Sequence, residues 1–92
     1  MTKFYKKPEA INAIQWTGKN DEELKTFTRD EFYRRIVDFG TTFASIKTLE
    51  GCDMVTQYDW VIKDEEGKIY VCDPEEFKIT YLTEQEYAVY RG

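Results

Sequence analysis

The chain has 92 residues, with thirteen Lys and Arg against eighteen Asp and Glu for a net charge of −5, which predicts one domain burying roughly 60% of its unfolded surface. Histidine is absent, removing the commonest general base, the commonest metal ligand and every catalytic triad built on imidazole. Aromatic residues make up 16% of the chain; each one buried removes on the order of 150–250 Å² from water, so a core is expected without disulfides or metal.

The charge is unevenly spread. Residues 1–48 carry nine basic against seven acidic side chains, and residues 49–92 carry four against eleven. An acidic second half disfavours direct binding to nucleic-acid phosphates, which needs clustered Lys and Arg. It allows docking on a basic protein surface, and it equally allows the plain reading that the carboxylates keep a small protein in solution. Lys3, Lys6 and Lys7 are followed by no apolar stretch long enough for a signal peptide or a membrane span, so a cytoplasmic protein is expected, with no membrane partner. Cys52 and Cys72 are expected to be reduced.

In chain order, Ile11, Ala13, Ile14 and Trp16 predict a strand that is bulged or partly buried on both faces. Asn20 and Glu23 have the spacing of a capping box, opening a short helix through Leu24 and Phe27. Thr28 and Glu31 repeat that spacing. Phe32, Ile36 and Phe39, flanked by Tyr33 and Val37, then form a stripe at helical spacing that ends at Gly40, predicting the main helix over 29–39. After Thr41 the period becomes two through Phe43, Ile46 and Leu49, with Glu50-Gly51 as a two-residue hairpin connection and a returning strand from Cys52 to Thr56. A second hairpin pairs residues 59–63 with 68–72 around Asp64-Glu65-Glu66-Gly67, a type I turn with Asp first and Gly fourth. Asp73-Pro74 starts a helical turn, and Thr83 with Glu86 forms a last capping box ahead of Tyr87 and Tyr90. The expected fold is α+β, 1–92 as a single domain: a mostly antiparallel sheet of about five strands, the 29–39 helix packed on one face, and short flanking helices.

Few chemical sites are compatible with these residues. The five glycines never take a phosphate-loop or dinucleotide spacing. Two cysteines twenty positions apart, without histidine, do not make a zinc site, so no metal and no cofactor is expected. Cys72 precedes a helix start, where the dipole favours a thiolate, yet a buried inert cysteine suits the strand end better. Asp21-Glu22-Glu23, Asp64-Glu65-Glu66 and Glu75-Glu76 read as helix starts and a turn rather than as acid–base pairs. Asp59, next to Trp60, is expected to bond turn amides. Tyr58, Trp60, Tyr70, Tyr81, Tyr87 and Tyr90 either fill the core or form an interaction face.

Several blocks together resemble a family of small phage and prophage proteins. They are Tyr5-Lys6-Lys7-Pro8, Gln15-Trp16-Thr17-Gly18, Thr48-Leu49-Glu50-Gly51 and Asp59-Trp60-Val61-Ile62-Lys63, followed by Gly67 to Tyr81 with Tyr70, Cys72, Pro74 and Phe77 in register. The pattern departs at Tyr58, where the family places glycine, so a different turn geometry or a longer loop is expected there. Residues 29–42 match no part of it. The resemblance implies a phage origin and an intracellular accessory role, and it supplies no catalytic residues.

The functional expectation is a non-enzymatic protein of the host cell cytoplasm that binds, and inhibits, a host or anti-phage defence protein with a basic surface. Its contact residues are expected to be Tyr58, Trp60, Asp64, Glu65, Glu66, Tyr70, Glu75 and Glu76. A second reading is a binder of a small ligand or nucleotide derivative, with Trp16, Trp60 or Tyr70 stacking on it and Lys63, Arg34 or Arg35 meeting its charge. A third is a minor structural or assembly protein. The oligomeric state is left open, a homodimer included.

Overall fold

The computed structural model describes residues 2–4, 10–36, 42–48, 51–81, 83, 86, 88 and 89. Its elements are β1 (Asn12–Gln15), α1 (Asp21–Phe27), β2 (Phe32–Ile36), β3 (Thr42–Thr48), β4 (Gly51–Val55), β5 (Trp60–Lys63), β6 (Ile69–Cys72) and α2 (Pro74–Thr80). They form two three-stranded antiparallel sheets, in the orders β1-β5-β6 and β2-β3-β4. Among the described residues, the single sheet of about five strands under a main helix is therefore corrected to two three-stranded sheets with the short helices α1 and α2.

The largest correction is at residues 29–39. Phe32 to Ile36 is a strand paired with β3, Phe32 opposite Ile46 and Arg34 opposite Ala44. Phe32 and Ile36 are four positions apart, a spacing that returns to the same face both in a helix and in a strand, so this pair was compatible with either and only Phe39 favoured the helix. Backbone geometry upstream decides between them. Thr28 caps the C-terminus of α1 instead of opening a new helix, its hydroxyl donating to the Leu24 carbonyl at 2.8 Å. Arg29 and Asp30 then take positive φ angles of 57° and 66°. Their amides donate back to the Thr26 and Lys25 carbonyls, the paired bonds of a Schellman motif, and the chain leaves in an extended direction. The second half of the expected helix, with Val37, Phe39 and Gly40, lies outside the described residues, as do Tyr5 to Pro8, Leu49, Glu50, Tyr87 and Tyr90.

The other local expectations fare unevenly. Asn20 precedes α1, but its side-chain oxygen accepts from the Thr17 amide at 2.9 Å, while its amide donates to Glu23 and to the Gln15 carbonyl. The capping box is thus turned back to hold the preceding loop. Gly51 pairs with Thr48 as the first residue of β4, one step beyond the hairpin connection assigned to it. The second hairpin takes the turn that its residues demand. The Gly67 amide donates to the Asp64 carbonyl, the Asp64 carboxylate accepts from the Glu66 and Lys68 amides at 2.9 Å, and Gly67 has a φ of 86°. Asp73 caps α2 by accepting from the Glu76 amide at 2.8 Å, with Pro74 as the first helical residue. Thr83 and Glu86 exchange both bonds of a capping box at 3.1 Å.

The core lies between the sheets. Trp16, Val61, Ile14, Ile69 and Val71 from the first sheet and its extension meet Phe32, Ala44, Ile46 and Val55 from the second, and Leu24 and Phe27 of α1 complete the cluster. Trp16 is 1% exposed and meets Phe32 edge-on, ring centroids 5.6 Å apart. Its indole N–H donates to Asp21 at 2.9 Å, and the same carboxylate receives Arg34 at 2.6 and 2.8 Å. Arg34 also donates to the Gly18 carbonyl and lies 5.5 Å from the Trp16 ring centroid. A charged residue thereby takes an inward strand position, because its guanidinium reaches the sheet's rim and finds a carboxylate there.

The turn that carries the chain from β4 to β5 keeps its shape without glycine. Thr56 accepts from the Asp59 amide at 3.0 Å, and Tyr58, the third residue, has a φ of 76°, as in a type II turn. The geometry expected to change at Tyr58 is left-handed after all. It is held by the Tyr58 amide donating to Trp16 at 2.6 Å and by the Asp59 carboxylate accepting from the Thr56 amide and hydroxyl at 2.8 and 2.9 Å. A left-handed φ strains a side-chain-bearing residue, so Tyr58→Gly is expected to raise stability by about 0.5–1 kcal/mol. A urea midpoint at or below the wild-type value contradicts this.

Candidate functional site

Alternation along the first sheet separates two faces. Ile14, Val61, Lys63, Ile69 and Val71 point toward the core side, while Gln15, Trp60, Ile62, Tyr70 and Cys72 point away from it. The second face is largely covered by aromatic packing. Phe77 of α2 stacks on Trp60 with centroids 4.1 Å apart and rings 6° from parallel, and Tyr81, one helical turn on, lies 5.0 Å from Phe77. Ile62 beneath is 2% exposed. Burial raises the pKa of Tyr81, and burial together with the carboxylates of Glu76, Asp73 and Asp59 raises that of Cys72. Both groups are held protonated at neutral pH, which fits an inert Cys72 and not a nucleophile.

The expected contact residues are divided among different places. Trp60 is half-buried under Phe77, while Tyr70 and Tyr58 are about half exposed. Asp64 is engaged inside its own turn, accepting two amides and the Tyr70 hydroxyl at 3.4 Å. Glu65 and Glu66 are exposed at the tip of that turn, Glu66 within 3.2 Å of the Lys68 ammonium. Glu75 and Glu76 are exposed in the first turn of α2. The two acidic groups sit beyond opposite ends of the four-pair β5–β6 ladder, which is itself about 10 Å long. They form the two ends of an aromatic strip rather than one acidic patch.

The groups named for a small ligand do not converge. Trp16 is buried in the core, and Arg34 is held by Asp21. Arg35 lies on the outer face of the second sheet, 5.8 Å from the Tyr33 ring centroid and bonded to Ser45. Lys63 is on the opposite face from Trp60 and Tyr70, its ammonium 4.6 Å from the Phe27 ring centroid. Beside it is a cleft of about 170 Å³ between the end of α1 and the β5–β6 turn, lined by Phe27, Arg29, Lys63, Gly67 and Ile69 among others. This is below the roughly 300–1,000 Å³ of ordinary cofactor sites. Among the described residues no group of three or more His, Cys, Asp or Glu is placed to hold a metal ion, and no helix is long and apolar enough to cross a membrane.

Two residues were missed in the sequence. Phe77, four residues before the Tyr81 already named in the aromatic set and beyond Asp73-Pro74, carried a helical-face signal that pairs it with Tyr81 and offers it as a partner for Trp60. Arg29 fell inside the expected helix, and only its left-handed turn brings it to the cleft. Comparison with family models, curated proteins and solved structures found no match.

Proposed function

We propose that this chain is a non-enzymatic phage-type accessory protein that acts in the host cytoplasm by binding, and inhibiting, a host or defence protein with a basic surface. The observation that carries this reading is the strip Trp60, Phe77, Tyr81 and Tyr70, with carboxylates beyond each end and the half-exposed Tyr58 in the turn before β5. Rings half covered and half wet, flanked by charge, suit a protein interface, where aromatic anchors hold and the charged rim steers. Glu65 and Glu66 would meet cations at one end and Glu75 and Glu76 at the other. Asp64 shapes the turn that presents them.

The test is capture of partners from bacterial lysate at about 0.05 and 0.5 M salt, since screening weakens contacts between exposed charges. A captured protein that is lost at high salt, and lost from a Glu75→Lys/Glu76→Lys double variant that folds like the wild type, is the expected result. A partner held equally by that variant, or no partner at either salt, contradicts it. Higher-order assembly of the purified chain alone would favour the structural reading instead.

A further inference from the structure

The cleft between the end of α1 and the β5–β6 turn is independent of the aromatic strip, because Lys63 and Ile69 face the other side of the same sheet. Its charge runs against that of the protein. In a chain of net charge −5, two cations line it, and among the described residues neither Arg29 nor Lys63 has a carboxylate partner. Glu66 also lines the cleft, but the Lys68 ammonium lies 3.2 Å away, so the local balance stays positive. Three of the carbonyls at the end of α1, those of Leu24, Lys25 and Thr26, accept from the Thr28, Asp30 and Arg29 amides, which reduces the negative end that the helix presents. Phe27 and Ile69 are its apolar members, with the Lys63 ammonium 4.6 Å from the Phe27 ring centroid.

Arg29 stands at φ 57°, at the helix-ending position where glycine is favoured, and this turn brings it among the residues that line the cleft.

We infer that this cleft is a binding site for a small organic anion, a phosphate monoester or carboxylate carrying one ring or a short chain. Arg29 and Lys63 hold the charged group, and Phe27 and Ile69 receive the apolar part. The volume of about 170 Å³ sets the limit: a cavity of roughly 150 Å³ admits one benzene ring, and a nucleotide is too large.

The test is an NMR titration of the full chain with phenyl phosphate, benzoate and phenol at low ionic strength. Saturable shifts are expected at the Arg29, Gly67 and Ile69 amides with both anions, weakening with added salt. Arg29→Gly removes the guanidinium while relieving the left-handed strain, so it folds at least as well, and it is expected to bind about tenfold more weakly; Lys63→Met is expected to do the same. Absence of saturation by about 20 mM, well above the 1 mM that corresponds to a weak specific site, overturns the inference. Phenol binding as tightly as the anions, or wild-type affinity in both variants, overturns it too. Glu66 is common to the cleft and the proposed partner surface, but the Glu75→Lys/Glu76→Lys variant changes the other end of the β5–β6 ladder, so its loss of partner capture leaves these readouts unaffected.

Discussion

Truncating Phe32 to alanine is expected to lower stability by about 3–5 kcal/mol, measured as a fall in the urea unfolding midpoint. The ring is 1% exposed, meets Trp16 edge-on and lies in the cluster that joins the two sheets. A domain of this size has a total stability of roughly 5–14 kcal/mol, so such a loss brings the variant close to unfolding at room temperature. The neighbour provides the contrast. Tyr33 points to the outer face of the second sheet and is 48% exposed, so Tyr33→Ala is expected to cost about 1 kcal/mol or less. Similar costs at the two positions would contradict a strand whose alternate residues face opposite ways.

Replacing Asp21 by alanine is expected to cost about 1–3 kcal/mol. It strands the Trp16 indole N–H, which is otherwise satisfied at 2.9 Å, and it leaves Arg34 without the carboxylate that now accepts two of its bonds. Asp21→Asn retains an acceptor and is expected to cost less. The pH dependence follows from the same contacts. Hydrogen bonding to Arg34, ahead of the Trp16 bond, holds the Asp21 carboxyl below its ordinary value of 3.8 in the folded state. A carboxyl depressed on folding contributes stability that is fully present above its unfolded pKa and is lost as pH falls through the folded one. The advantage of the wild type over Asp21→Asn is therefore expected to be constant near neutrality and to shrink from about pH 5 downward. An advantage that grows on acidification would contradict the assignment, as would one that stays flat down to pH 2.

Legibility in the sequence followed the range of the interaction concerned. The Asp64 to Gly67 turn, the Asp73-Pro74 helix start and the Thr83–Glu86 box are settled by contacts within three or four residues. They form as the residue types dictate. Phe32 to Ile36 failed because its apolar spacing is common to helix and strand. The information that separates them lies in the left-handed pair Arg29 and Asp30, neither of which is a glycine that would have advertised the stop. Tyr58 failed in the same way: a non-glycine residue holds a positive φ because Trp16 and Gln15, more than forty positions away, bond its backbone.

The candidate surface was half legible. Trp60, Tyr70 and the exposed acids could be listed from composition, whereas their division into two ends of one strip depends on the β5–β6 register. Trp16 was named among possible ligand-stacking residues, yet its ring is 1% exposed, as is that of Phe32, because the residue just after β1 continues the inward alternation of Ile14 and goes between the sheets.

By itself, the sequence determined the local pieces: the turns, the helix starts, the hairpin made by residues 59–63 and 68–72, and the lack of any imidazole chemistry. Only the tertiary structure decided that β1 pairs with β5 while β2 pairs with β3, which splits the expected single sheet in two. Pairing partners far apart in the chain are chosen by which apolar faces can be buried against each other, and that choice is a property of the assembled core rather than of any short stretch of residues.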